Sequence, residues 1–493
     1  MMRCERLLER ATGECSEVSW ALAARHSSMN DPATDSKPPA PSGNRPIAIR
    51  HSVGHRACPL HDAWKATRMT DPTTLNVTIN GTGFAGDYTA QTYGLIPHRN
   101  GVDIHLAGVT SGHFENAERF AAEHGVAKAF ASHAQMLEAI HPDIDNIACA
   151  NATHGPYTIE AARAGVAVIV LEKPPVVWPG YGQDRQADAV TRKRESMEYL
   201  SGILDTVAAS GSRLLYAEDF VYVDGMKGLV ELLAEAVERG QGRILWQQGT
   251  CAHQGSHAPA YDTPALSGGG ALFNKACHPL GPCLYLKQAE GILRDGRPIR
   301  PVSVSAIALQ VLKHQPEASA RHFRVLQNVD DFGRITVLFD DHTVAEVVGS
   351  DLSVSGIRNE LRVISDFAQY DMRINPNNEN ELFLPDSDIA GDLLLREKLP
   401  TAQGTSFPRP RQFHAHGYVN EMNDAVDCAL DPSRAPQSGP LMAWDTMAVL
   451  MAAYESAEAT GTLVDISEYT RDRQFPSSSL PDPRRFGAVF QRQ

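Results

Sequence analysis

From Leu75 onward, short β-branched runs alternate with stretches whose apolar residues recur every three or four positions. The first run, LNVTIN, ends at Asn80 and passes through a glycine-rich turn into a proline-free segment, Asp87 to Tyr93, that can carry a helix. Val102–Val109 reads as a second strand, Ala117–His124 as an amphipathic helix stopped by Gly125, and Met136–Ile140 as a short helix. Ile144–Ala150 and Val166–Leu171 are strands with a helix, Tyr157–Ala164, between them. A charged stretch from Asp184 to Glu195 reads as a solvated face, and a helix, Met197–Ser210, and a strand, Arg213–Ala217, close the series near Glu218. Strands separated by single helices predict parallel pairing through right-handed crossovers, hence a doubly wound sheet.

Beyond Glu218 the rhythm changes. A helix from about Gly225 to Arg239 precedes the segments Arg243–Gln247, Val302–Leu312, Gly333–Phe339 and Thr343–Val348, which alternate or run β-branched without long helices between them. They predict a mostly antiparallel sheet. Between the first two lies a glycine triplet feeding a helix with Asn274, Lys275, Cys277 and His278, and two helices, His416–Ala429 and Leu441–Glu458, lie near the end.

Composition narrows the function classes. The 493 residues, 42% hydrophobic and 21% charged, suit a globular protein of two or three domains, and the net charge of -14 argues against nucleic acid and acidic membranes as partners. No apolar run reaches the length of a membrane span, and a cytoplasmic location is expected. Eight cysteines without CxxC spacing read as reduced thiols, with Cys277 and Cys283 as packing residues. Residues 1–68 are rich in Pro, Ser, His and Arg without periodicity, and are expected to be a disordered tail or an over-extended start ahead of Met69.

The glycine turn brings in the chemistry. Gly81-Thr82-Gly83-Phe84-Ala85-Gly86 places glycines at the first, third and sixth positions, where a strand hands over to a helix. The first permits the turn, the second lets a pyrophosphate approach bare backbone, and the third lets helix and strand pack closely. Thr110-Ser111, Asn151 to His154 and Glu172-Lys173-Pro174 fall at the same carboxyl edge of the sheet, where such folds bind ligands. Ser111 stands where an acid would hold the ribose hydroxyls, and no arginine follows to grip a 2′-phosphate, so NAD and NADP both remain open.

Taken together, GTGFAG (81–86), NATH (151–154), EKP (172–174), GGGALFNKACH (268–278) and AAYESAEATG (452–461) resemble the glucose-fructose oxidoreductase, inositol dehydrogenase and rhizopine catabolism family of NAD(P)-dependent oxidoreductases, over about Thr74 to Ile466. The resemblance implies an α/β chain. A Rossmann doubly wound parallel sheet (69–218) precedes a C-terminal α+β domain (219–468) with a large, mostly antiparallel open sheet, and an extension, 469–493, follows. It also implies a sugar or polyol substrate and a homodimer or homotetramer built through that open sheet.

It further implies which residues act. Gly81, Gly83, Phe84, Ala85, Gly86, Thr110, Ser111, Asn151, His154, Glu172 and Lys173 would line the cofactor site. Lys173, with a cis bond to Pro174, would polarise the reacting oxygen, and His278 would exchange its proton. Asn274 would share a helical face with His278. Many relatives carry aspartate at this position, and an amide cannot take a proton. That departure leaves room for a dinucleotide-binding regulator or sensor, and redox-neutral sugar chemistry with tightly held NAD is a further alternative. His253, His257 and Tyr222 are expected to contact substrate, with Glu218 and Asp219 as weaker candidates. No metal site is expected, and His414–His416 read as loop surface.

Overall fold

A computed structural model describes residues 73–96, 102–183, 185–256, 258–354, 356–375, 382–384, 404–406 and 416–486. The expected tail, 1–68, lies outside them, as do His257 and His414. β1 (Thr73–Asn80), β2 (Val102–Thr110), β3 (Ala129–Phe130), β4 (Ile144–Ile147), β5 (Val168–Glu172) and β6 (Arg213–Ala217) form a parallel sheet in the order β3-β2-β1-β4-β5-β6. β1 pairs with β2 on one side and β4 on the other, so the strand order reverses there and opens a crevice at the carboxyl ends. This is the doubly wound sheet that the alternating pattern predicts.

The crossovers are α1 (Phe84–Leu95), α2 (Phe114–His124), α3 (His133–Ile140), α4 (His154–Arg163) and α5 (Ala189–Ser210). α5 starts eight residues before the expected Met197. Asp188 accepts from Thr191 N at 2.7 Å as its N-cap, and Lys193, inside the run read as a solvated face, is buried against Glu455 at 2.7 Å. Charge alone therefore misplaced the start of this helix.

After α6 (Asp224–Glu238), the strands β7 (Ile244–Ala252), β8 (Pro301–Leu309), β9 (Phe332–Phe339), β10 (Val344–Ser350), β11 (Arg358–Ser365) and β12 (Gln369–Asn375) form the second sheet. β13 (Leu382–Leu384) and β14 (Gly404–Ser406) pair separately, and β15 (Val464–Asp465) adds an edge to give the order β12-β11-β7-β10-β9-β8-β15. Every pairing in it is antiparallel except β7 with β10. The short α7 (Pro264–Ser267) and α8 (Ala271–Asn274) lead into α9 (Cys277–Asp295), whose side chains are almost all buried.

Both sheets lie within one compact unit, Met69–Gln493. α10 (Tyr418–Leu430) returns to the first sheet, where Val419, Met422 and Val426 pack on Val77, Val168, Val170 and Leu215. Each such side chain contributes about 1.5–3 kcal/mol by leaving water. α11 (Pro440–Glu458) packs on both α5 and β8. The parallel sheet therefore needs a helix that the chain supplies some two hundred residues later.

Candidate active site

At the crevice Gly81 adopts φ +124°, and its N–H donates to Thr110 O at 2.9 Å. A Cβ on Gly81 would lie 2.3 Å from Ala148 O, and one on Gly86 would lie 2.1 Å from Gly81 O, so helix and strand meet backbone to backbone. Gly83 differs, since a Cβ there would meet nothing within 4 Å. That open space lies at the start of α1, whose first turn has no side-chain cap. Asn80, at the end of β1, has a buried Nδ2 without a partner among the described residues. Bare backbone, uncapped N–H groups and an orphaned donor fit the pyrophosphate of a dinucleotide. Ser111 accepts from Thr82 Oγ1 at 2.9 Å, which ties the end of β2 to the glycine turn.

β5 delivers Glu172 and Lys173 to the same edge, and the Lys173–Pro174 peptide is cis. Both side chains line a cleft walled by α1, the turn after β6, α9 and α10. Burial opposes the charge on Lys173, but the Cys277 sulfur and the carboxylates of Glu172, Glu218 and Asp219 outweigh it, so its pKa is raised. Burial pushes Glu172 up to about 7. Lys173 is therefore a firmly cationic group in a water-poor pocket, where charge acts strongly.

His278 faces this cation. Its Nδ1 lies 3.0 Å from Glu218 Oε1 and 3.1 Å from Asp219 Oδ1, and its ring stacks on Phe220 at 4.9 Å. Burial, then Lys173, lowers His278 to about 4, while burial raises Glu218 to about 7. A neutral imidazole donates Nδ1–H to the carboxylates, which leaves Nε2 with a lone pair. Glu218, Cys277 and His278 bring an oxygen, a sulfur and a nitrogen within 4.8 Å of one another, but the Lys173 ammonium beside them opposes a metal ion.

Other expected residues are placed differently. Asn274 ends α8 and His278 lies in α9, so the single helix expected to carry both is broken at Lys275–Ala276. Asn274 Oδ1 accepts from Asn151 Nδ2 at 2.9 Å, and its Nδ2 faces Ser267 O at 3.2 Å, Gly269 O at 2.7 Å and Gly270 O at 3.4 Å. Asn151 and Asn274 thus join the loop after β4 to the glycine triplet. Tyr222 is wholly buried, with its hydroxyl donating to Asp424 at 2.8 Å and accepting from Ser438 N at 3.0 Å, so it packs rather than faces the cleft. His154 is buried too. Burial lowers it to about 4, and Nδ1–H donates to Pro174 O at 2.7 Å, which holds the cis loop in place.

His253 lines the cleft as expected, 3.5 Å from Cys251 Sγ. His416, read as loop surface, is buried and lines it as well. Sequence reasoning passed over Lys275 and Glu421 as site residues. Lys275, one position from Asn274, enters the cleft and donates to Tyr261 at 2.9 Å, and Glu421 enters from α10. The GGGALFNKACH motif contained the first, whereas the second shows no local signal.

Comparisons with known proteins agree with this fold. The Gfo/Idh/MocA family model, described as an oxidoreductase family with an NAD-binding Rossmann fold, matches residues 75–199. No curated protein matches the chain. Among solved structures, GenD2 from gentamicin A biosynthesis in complex with NAD is 21% identical, with a TM-score of 0.64 over 80% of this chain and 97% of that one. The myo-inositol 2-dehydrogenase of Lactobacillus plantarum is 17% identical, with a TM-score of 0.56 over 80% of this chain and 100% of that one. Levoglucosan dehydrogenase in complex with NADH and L-sorbose is 17% identical, with a TM-score of 0.57 over 80% and 99%. At these identities the likeness is one of fold.

Proposed function

The Rossmann domain of this chain is that of the NAD-binding Gfo/Idh/MocA oxidoreductases, and on that premise we propose that the protein moves a hydride between NAD and a secondary alcohol or ketone of a sugar, cyclitol or glycoside. The observation that carries this reading is the meeting of Lys173 with the His278–Glu218 pair at the carboxyl edge of the sheet. NAD supplies the hydride acceptor or donor. Gly83 and the first turn of α1 would hold the pyrophosphate, with Asn80 Nδ2 as a further donor.

Lys173 holds the substrate oxygen and stabilises the negative charge that develops there as the C–H bond breaks. His278 Nε2 takes the hydroxyl proton in oxidation and returns it in reduction. Glu218 and Asp219 hold Nδ1–H, fixing the tautomer, and their charge stabilises the imidazolium that forms. This pair supplies the acid that Asn274 lacks, which favours an enzyme over a sensor. We also propose that a second copy covers the open face of the second sheet, where Val344, Glu346 and Val348 of β10 alternate with the buried Ala345, Val347 and Gly349.

The test is NAD reduction against a panel of sugars and cyclitols. A substrate-dependent signal that falls by about 1,000-fold in Lys173→Ala supports the reading. Turnover that survives that substitution would sink it.

A further inference from the structure

Beyond His278, the cleft holds more acid than the proposed hydride transfer uses. Glu172 ends β5, Asp219 follows β6 and Glu421 enters from α10, with Glu218 buried beside Asp219. The ammonium groups lining it among the described residues are Lys173 and Lys275. Lys275 already faces the buried Asp351 at 4.0 Å and donates to Tyr261. Lys173 lies among Glu172, Glu218 and Asp219.

Glu421 is left over. It is 1% exposed, it lines the cleft, and its Oε2 has no hydrogen-bond partner among the described residues. A buried carboxyl without a partner is costly unless a ligand answers it. Burial, and then the neighbouring Asp219, Glu172 and Glu218, raise its pKa well above the ordinary carboxylate range, so its surroundings already call for positive charge. Asp424, on the same helix, is paired with Arg434 at 3.0 Å and does not relieve it.

Two kinds of ligand could relieve such a group. A hydroxyl accepting from the protonated acid satisfies one carboxyl and leaves the surplus of acid unbalanced. An ammonium answers Glu421 and its acidic neighbours together, because each carboxylate gains from the same cation. The aromatic wall favours the same choice. Tyr88 and Tyr418 both line the cleft with centroids 5.1 Å apart, and ring faces attract a desolvated cation.

Resting on the dehydrogenase reading above, we propose that the substrate is a cationic sugar or cyclitol. Its reacting carbinol lies at Lys173 and His278, and an amino substituent on the ring pairs as ammonium with Glu421.

The experiment titrates the enzyme–NAD complex with glucosamine, glucose and N-acetylglucosamine, and with inosamine against inositol, recording both binding and NAD reduction. The amines are expected to bind at least about tenfold more tightly than their uncharged counterparts. Glu421→Gln should cut that ratio at least about fivefold, and Glu421→Asp, which keeps the carboxyl, should preserve the preference. If the uncharged compounds bind as well as the amines, or if the preference is undiminished in Glu421→Gln, the proposal is overturned. Oxidation of glucose or inositol in that case leaves the dehydrogenase reading standing without it. Amine-selective binding that depends on Glu421 but brings no NAD reduction with any compound sustains the cationic site and overturns the dehydrogenase reading.

Discussion

Nδ1 of His278 lies 3.0 Å from Oε1 of Glu218, a residue sixty positions earlier in the chain. Burial holds Glu218 at about 7, and burial with the nearby Lys173 holds His278 at about 4. The pair takes up its proton as pH falls through about 7. Oxidation must pass a proton to the pair, so kcat/KM for oxidation should fall below about pH 7 and ketone reduction should fall above it. Glu218→Gln should lower kcat by about 100-fold, with little change in KM, and move the acidic limb of oxidation to lower pH. An unchanged pH profile in that variant would remove Glu218 from the proton path.

Asn274 makes an opposite prediction. Its Nδ2 faces three carbonyl oxygens, so Asn274→Asp sets a carboxylate against them. The variant should lose about 1–3 kcal/mol of stability in denaturant titration and gain no turnover. A more active Asn274→Asp enzyme would show that the position does take part in proton transfer.

The three glycines of the turn should separate folding from cofactor binding. Gly86→Ala drives a Cβ into Gly81 O, and Gly81→Ala adds a left-handed backbone to a similar clash, so each should cost about 1–3 kcal/mol or more. Gly83→Ala has open space around its Cβ and should melt within a few degrees of the parent while binding NAD more weakly. Thermal melts with and without NAD check both halves.

Stability should also carry the mark of His133. Its Nε2 lies 2.8 Å from Asp145, its Nδ1 lies 2.8 Å from Glu160, and the ring is buried. Burial opposes its charge, but Asp145 and Glu160 outweigh burial and raise its pKa above the ordinary value. A folded-state pKa above the unfolded one means that the stabilisation is complete below the unfolded pKa, about 6.5, and is lost as pH rises through the folded value. The melting temperature should fall across that interval, and His133→Gln should flatten the dependence. A parent curve that rises with pH there would contradict the imidazolium.

Much of the fold was legible along the chain. β2 and β6 lie within a residue of their expected limits, and β1 runs into the turn at Gly81 as read. The α5 start was not, because Lys193 is buried by an ion pair with Glu455 more than two hundred residues away. In the site, Lys173 and the glycines could be read because their neighbours in sequence are also their neighbours in space. His278 was found by its motif, whereas Glu218 and Asp219, read only as weaker substrate contacts, come from the turn after β6 to hold its ring.

What the sequence by itself determined is local: the alternation of strand and helix, the glycine turn, and the Lys173–Pro174 loop at a strand end. Each depends on backbone preference and periodicity over a few residues. The tertiary structure alone decided that Glu218 and Asp219 hold His278, that Asn274 holds Asn151, and that α10 covers the parallel sheet and brings Glu421 to the cleft. Those pairings close long loops, and they form because burying apolar faces of distant elements together offsets the entropy of closure. No periodicity within either segment records which partner it will meet.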